Sequence, residues 1–551
     1  MNNQGLALLI IIFGRIISPV AAQSDERVIL KAMKDELKRS MEIRETGYDK
    51  PFYISYRIDD LKNYTVYASL GAIIQAGETK NRAKSVRVLV GDYEFNDESL
   101  DNNTFSEPSA REIQLPEEDD YYGIRRALWT TTDIVYKGAA QKFRKNQNSL
   151  KEQGKSLSDV PHRTFAKVPV IQKQDQPVAL VLDEDAIRNY ARRLSDVFRN
   201  FSELESSEVI ISVTGSDNYF VNSEGTVVIK PDQLAVMQCR AQLRSKVGEP
   251  IFENLVYYAQ TLNELPQLDR AIAEAKAMCD KLMKLKECES LEEEYSGPVL
   301  FLGPAVANLF SAALFSYRET LMASNAIQNT NDFRPDAAGQ LDARLDKIVI
   351  DNSITIRALP FMKKFGNTSL LGAYEVDDEG VAPAAELMLI EKGVLKNLLN
   401  DRSLVKHGQK ANGHSTGPGV LEITSAKQFT EKQLKQSLLT TAKNDGLPFA
   451  LIVRNSGDVG EGLSEIWKVD ISSGNETLVR SAQPNQVTLK DLRRISGTSA
   501  TLQSVSVPAG EGTLASMICP AALLLESVDV TPLKLPYTEK DNTYVPSPLN
   551  N

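Results

Sequence analysis

Only three histidines occur in the 551 residues, His162, His407 and His414, beside two tryptophans and four cysteines. So few imidazoles leave little room for histidine chemistry. A helical zinc site needs two His on one face, a Glu as base and a further ligand, yet no His here is followed by Glu and no two stand at that spacing. No C-x-x-C pair occurs either. The thiols of Cys239, Cys279, Cys288 and Cys519 are expected to be buried and free. Cys279 and Cys288 lie on one predicted helix, about 13 Å apart along its axis, which is too far to bridge.

Positive charge is also short: 63 Lys and Arg stand against 73 Asp and Glu, a net charge of -10. Without a basic face a nucleic-acid partner is not expected, because phosphate backbones are bound through clustered Lys and Arg. Long apolar runs are missing too. The one near the N-terminus, Leu6 to Phe13, is far shorter than the ~20 residues of a membrane span. It is followed by Pro19 and the small residues Ala21 and Ala22. This pattern predicts a signal peptide over 1–23, cleaved near Ala22 or Gln23, and hence a periplasmic or secreted protein, with an uncleaved N-terminal anchor as the alternative. No Cys follows the run, so a lipid anchor is not expected.

What is present fits a folded globular chain of two to four units, with 42% hydrophobic and 25% charged residues. Leu30, Met33, Leu37 and Met41 mark one helical face behind a candidate cap at Ser24. "PFYISYRI" and "KSVRVLVGDYEF" alternate as strands, and polar insertions or loops are predicted around 96–120 and 141–165. "VALVLDEDAIRNYARRLSDVFRNF" predicts a helix with Ile187, Tyr190, Leu194, Phe198 and Phe201 inward. Strands flank a turn at Asn222-Ser223-Glu224-Gly225. A long helix from Leu268 to Cys288 leads into the acidic "ESLEEEYSGP", which places a domain boundary near 295. Beyond it, "PVLFLGPAVANLFSAALFSY" reads as a strand and an apolar helix. "LMLIEKGVLKNLLNDRSL" reads as a hairpin over Lys392-Gly393 entering a short helix.

Three chemistries can be tested on these residues. Gly413-His414-Ser415-Thr416-Gly417 satisfies G-x-S-x-G, the nucleophile-elbow pattern. That elbow needs a strand before it, a helix after it and a later His; "GPGV" follows instead, and no His comes after Ser415. "GDVGEG" at 457–462 lacks a phosphate-loop context and reads as a turn. The acidic turn "YEVDDEGVAP" crowds Asp377, Asp378 and Glu379 before Gly380. It is either an acid-base or metal-binding group, if the carboxylates converge in a cleft, or a solvated turn in which Gly380 supplies a positive φ.

The stretch "GAYEVDDEGVAPAAELMLIEKGVLKNLLNDRSLVKHGQKANGHSTG" (372–417) resembles the C-terminal half of the TldD/PmbA family. So do "YFVNSEGTV" (219–227), "SGPVLFLGPAVANLFSAAL" (296–314), "ETLVRSAQPNQVTLKDLRRISG" (476–497) and "SMICPAALLLESVDV" (516–530). The resemblance implies an α+β fold of two domains, an N-terminal α/β domain over 24–295 and a mainly β domain over 296–551. It further implies a zinc metallopeptidase motif, H-E-x-x-x-H, on the helix that opens the second domain. At those places this chain has Phe310, Ser311 and Phe315, and the family's further Cys ligand has no clear match. The chain therefore looks like the TldE branch: no metal, no cofactor and no catalytic residue of its own, with Asp378, Glu379 and His414 as cleft residues. The implied partners are a TldD-type H-E-x-x-x-H homologue or a second copy of itself, and a peptide substrate. Two alternatives stand beside this one: a stand-alone peptide-binding or structural protein, and an enzyme built on Asp378, Glu379 and His414.

Overall fold

The computed structural model describes residues 27–100, 113–160, 162–177, 180, 182–315, 320–323, 341–404, 409–455, 464–508, 514–533 and 547–550. The expected signal peptide, Ser24, His407 and the turn at 457–462 lie outside them.

Two long hairpins build the first half. Strand Pro51–Ser69 pairs antiparallel with Ala72–Val90 on one side and with Ser206–Asn222 on the other, and the latter pairs antiparallel with Val227–Arg244. Strand Pro250–Ala259 and the short Gln172–Gln174 complete the sheet, both alongside Val227–Arg244. Side chains alternate across a strand, so Ile54, Tyr56, Ile58, Tyr64, Val66 and Ala68 share one face, and all are buried. Four helices cover that face. Helix α1 (Val28–Ser40) and helix α2 (Tyr121–Glu152) close one end over Ile54, Tyr56 and Ile58. Helix α3 (Glu184–Ser195) and helix α4 (Leu268–Glu287) close the other over Val66, Ile211 and Met237.

The opposite face is polar and only half-buried. On it Asn63, Thr65, Ser212 and Thr214 hydrogen-bond across the strands. With no apolar stripe to bury, this face has no helix of its own among the described residues.

The second half is rich in strands. Its larger sheet runs in the order 428–429, 495–499, 522–532, 295–302, 449–455, 465–470 and 476–479, with 482–484 beside 522–532. Its smaller sheet runs 394–395, 387–391, 354–358, 420–425, 514–520 and 502–508. Strand Tyr295–Leu302 lies between one parallel and one antiparallel neighbour. Val299 and Phe301 face the main core, while Leu300 faces helix α6 (Glu431–Asn444). Burial of both faces explains why this strand reads as an unbroken apolar run. Helix α5 (Pro304–Leu314) packs in the main core with residues of both sheets.

The fold is thus α+β with a strand-rich second half. The inward set of α3 and the 3-10 turn Asp196–Asn200 that follows it is as expected: Ile187, Leu194 and Phe198 are buried, with Tyr190 and Phe201 packed at the rim. Three local expectations fail. The cap of α1 is Arg27, whose side chain makes no capping bond. Residues 141–152, expected in a polar insertion, are the last turns of α2. There Phe143 and Asn146 are buried and Asn146 Nδ2 donates to the Asp97 carbonyl. That same contact buries Asn96, Asp97 and Ser99 at the start of the other expected insertion. The hairpin over Lys392-Gly393 forms, with both residues at positive φ, but no helix follows it; the chain goes instead into the two-residue strand Ser403–Leu404, which pairs with Thr164–Phe165 of the first half.

Candidate functional site

That small pairing opens a seam where the acidic turn of the second half sits on the polar face of the first sheet. The turn is held in shape by Asp377. Its carboxylate accepts hydrogen bonds from the backbone N–H of Glu379 (3.0 Å), Val381 (2.8 Å) and Ser415 (3.0 Å). Burial, followed by the neighbouring Glu379, pushes its carboxyl up to about 6 against those hydrogen bonds. Gly380 turns the chain at φ +77, where a Cβ would lie 2.7 Å from Thr226.

The glycine-rich loop locks this turn from behind. Ser415 Oγ accepts from Glu379 N–H at 3.2 Å and Thr416 Oγ1 from Asp378 N–H at 3.0 Å. The Tyr374 hydroxyl donates toward the carbonyls of Gly413 and Gly417, at 2.9 and 3.0 Å. At Gly413, φ is +76 and a Cβ would meet the backbone nitrogen of Pro383 at 2.5 Å, so only glycine fits. Ser415 is therefore a strut of the turn. Ser415→Ala is expected to lower stability by about 0.5–1.5 kcal/mol, the usual net worth of one hydrogen bond, and to leave any peptide hydrolysis unchanged. Loss of hydrolysis in a folded Ser415→Ala protein would restore the nucleophile reading.

The three cleft candidates have separate surroundings. Asp378 reaches Arg57 Nη1 at 2.7 Å and Lys230 Nζ at 3.3 Å, both on the first sheet. Burial would push its carboxyl up, but Lys230 and Arg57 outweigh that and hold it below the usual carboxylate range. Glu379 pairs with Arg87 and accepts the backbone N–H of Arg402 at 2.7 Å. His414 is fully buried. Its Nδ1 lies 2.8 Å from the Asn412 carbonyl, its ring meets Tyr374 edge-on, and Nε2 has no protein hydrogen-bond partner among the described residues. The structure brings Asp378 and Glu379 to the seam and leaves His414 behind them in the loop.

Burial depresses the His414 imidazole to about 4, against the pull of the Asn412 carbonyl. The folded value lies below the ordinary 6.5, so this group's contribution is complete above pH 6.5 and is lost as pH falls toward 4. The difference amounts to about 3 kcal/mol. Asp377, raised in the fold, acts oppositely as pH falls from about 6. We therefore expect the stability gap between wild type and His414→Gln to shrink by about 3 kcal/mol between pH 7 and pH 4 in urea titrations. A gap independent of pH would contradict the buried neutral imidazole.

Sequence reading missed the residues that hold the seam. Arg402, read as part of a helix, is fully buried. Its guanidinium is 4.1 Å from the Phe165 ring centroid and 5.0 Å from that of Tyr53, and it grips both carboxylate oxygens of Glu224 at 2.7 and 2.8 Å. Arg87 joins Glu98, Glu379 and Ser403. A signal was present in the alternation of the strands, since Arg57, Arg87 and Lys230 all fall on the face that carries no apolar stripe.

The zinc ion that the resemblance implies can be tested against the residues present. Zinc takes imidazole nitrogen, thiolate sulfur or carboxylate oxygen. On α5, Phe310 is fully buried in the main core, Ser311 is one residue on, and Phe315 caps the helix and packs against the same core. Cys519 is buried, with Gln503 Nε2 3.8 Å from its sulfur. Among the described residues no three His, Cys, Asp or Glu gather to hold a metal. These residues do not fit the ion. All four thiols are free, with Cys239 and Cys279 buried and Cys288 half-buried.

Solved structures share this architecture. A candidate modulator of DNA gyrase from Bacteroides thetaiotaomicron aligns over 92% of this chain and 98% of its own at 13% identity, with a TM-score of 0.59. A candidate modulator of a DNA gyrase from Thermotoga maritima aligns over 87% and 96% at 13% identity, with a TM-score of 0.57. TldE from Thermococcus kodakarensis aligns over 91% and 100% at 12% identity, with a TM-score of 0.52. No curated protein matches. The class is thus an α+β protein with a strand-rich second half, of the fold these three share. Residues 294–442 match the PmbA/TldA metallopeptidase C-terminal domain. Over those residues the chain carries a domain of the TldD/PmbA family, a metallopeptidase family linked to proteolysis.

Proposed function

We propose that this chain is a metal-free, TldE-like member of its family, the non-catalytic half of an exported peptidase that acts on peptides or unfolded segments. The observation that carries the proposal is Phe310: a phenylalanine fully buried in the main core, where the family resemblance puts the first zinc histidine. The seam agrees with it, because the carboxylates of the acidic turn are engaged by Arg57, Lys230, Arg87 and backbone N–H groups. The partner is a homologue carrying H-E-x-x-x-H, which supplies the zinc. Export is supported by the apolar run Leu6 to Phe13 and the small residues Ala21 and Ala22, and the proposal puts both chains in the periplasm or outside the cell.

The test is metal analysis together with co-purification. The lone chain is expected to carry no stoichiometric zinc and to hydrolyse no peptide, and an H-E-x-x-x-H homologue is expected to co-purify with it. Stoichiometric zinc in the lone chain, with hydrolysis abolished by a chelator, would overturn the proposal. A homodimer recovered without such a homologue would instead favour a stand-alone peptide-binding protein.

A further inference from the structure

A cavity of about 290 Å³ lies at the seam, between the polar face of the first sheet and the acidic turn. It is lined by Arg57, Asn218, Lys230, Asp232, Gln260 and Asp378, among others. This volume is at the small end of ligand pockets, suited to the end of a chain rather than its middle.

The charges around it are unequally used. Arg57 is committed to Asp59 at 2.8 Å and to Asp378 at 2.7 Å. Lys230 touches Asp378 at 3.3 Å, which leaves ammonium hydrogens for another acceptor. Asp232 forms no ion pair with any described residue, and its Oδ1 accepts only the N–H of Gln233, at 2.9 Å. It is solvent-accessible, yet its neighbours crowd it enough to push its carboxyl up against the pull of the Gln233 N–H and of Lys230, and the nearby Asp378 adds to that push. Arg57 and Lys230 both touch Asp378, so among the described residues Asp232 is the carboxylate on the cavity wall with no cation in contact. The occupant that matches this wall carries one positive charge next to a hydrogen-bond acceptor.

We infer that the cavity receives the free N-terminus of a peptide, with its ammonium on Asp232 and its first carbonyl on Lys230. The chemistry is that of terminal-amine capture, in which one charged group selects a chain end and polar neighbours take the first peptide unit. The amides of Asn218 and Gln260 supply both donors and acceptors for that unit. This inference deepens the proposed peptide role and rests on it for the class of ligand.

The test uses the purified full chain and a dye-labelled hexapeptide of glycine, alanine and serine in three forms: free amine with C-terminal amide, acetylated with C-terminal amide, and acetylated with free carboxylate. Fluorescence anisotropy is expected to show saturable binding of the free-amine form and at least tenfold weaker binding of both acetylated forms. Asp232→Asn is expected to weaken the free-amine peptide about tenfold and leave the acetylated forms unchanged. Because Asp232 makes no ion pair, the variant should melt as wild type does, which separates lost binding from lost folding. Equal binding of the amine and acetylated forms, preference for the free carboxylate, no binding of any form, or an Asp232→Asn protein that binds as wild type would each overturn the inference. The assay needs neither metal nor partner, so its failure is distinguishable from failure to recover an H-E-x-x-x-H homologue.

Discussion

Arg402→Ala is expected to lower stability by about 3–5 kcal/mol, the range for removing one member of a buried ion pair. Arg402 has no exposed surface, and its side chain joins two bodies of structure at once. It binds the Ala166 carbonyl at 2.7 and 3.0 Å, grips Glu224, and fills the space over Phe165 and Tyr53. Removing it leaves Glu224, which also accepts from the Tyr93 hydroxyl, without its cation in a partly closed site. Arg402→Lys is expected to recover little of the loss, because an ammonium lacks the planar fork that serves both carboxylate oxygens and stacks on a ring. Urea titration followed by intrinsic fluorescence would measure both variants. A loss under about 1 kcal/mol would show that the seam is held by other contacts.

Phe310→Ala is expected to cost about 3–5 kcal/mol, as for other large aromatic deletions in a packed core. The phenyl ring is fully buried on α5, which packs against strands of both sheets in the second half, so the cavity left behind has little means of closing. Phe310→His returns a ligand-type side chain to the first zinc position, yet it is expected to destabilise as well, since a buried imidazole needs a hydrogen-bond partner that this apolar site lacks. Neither variant is expected to take up zinc. A Phe310→His protein as stable as wild type and holding one zinc per chain would show that the metal site is nearly intact, and would overturn the silent-subunit reading.

The two substitutions mark the limit of what local sequence shows. The apolar helix around Phe310 was legible from residue types, and the structure adds that the ring is buried; that Phe310 stands at a ligand place is what the family resemblance implies. Arg402 was not. Its neighbours "NDRSL" carry polar, turn-favouring residues, and nothing within that window announces that Phe165 and Glu224, 237 and 178 positions earlier, will enclose the guanidinium. The 141–152 stretch failed for a related reason. Its composition is that of a solvated loop, but Phe143 and Asn146 extend the buried side of α2, and packing on the first sheet decides the matter.

The sequence alone determined the α+β alternation of elements, the unbroken apolar strand at 298–302, the turns at Gly225 and Gly393, the family resemblance and the want of zinc ligands on α5. These follow from periodicity, turn chemistry and residue type, which act over a few residues. Only the tertiary structure decided what Asp377, Asp378, Glu379, His414 and Ser415 do. Three carboxylates in a row and a G-x-S-x-G loop have the same local chemistry in an active site or in a strut. Cations on strands some 150 to 320 residues away turn two of them into bridges, and backbone N–H groups of the turn itself and of the facing loop make the third a staple. Charge pairing and burial are long-range in sequence, and only the folded chain brings the partners together.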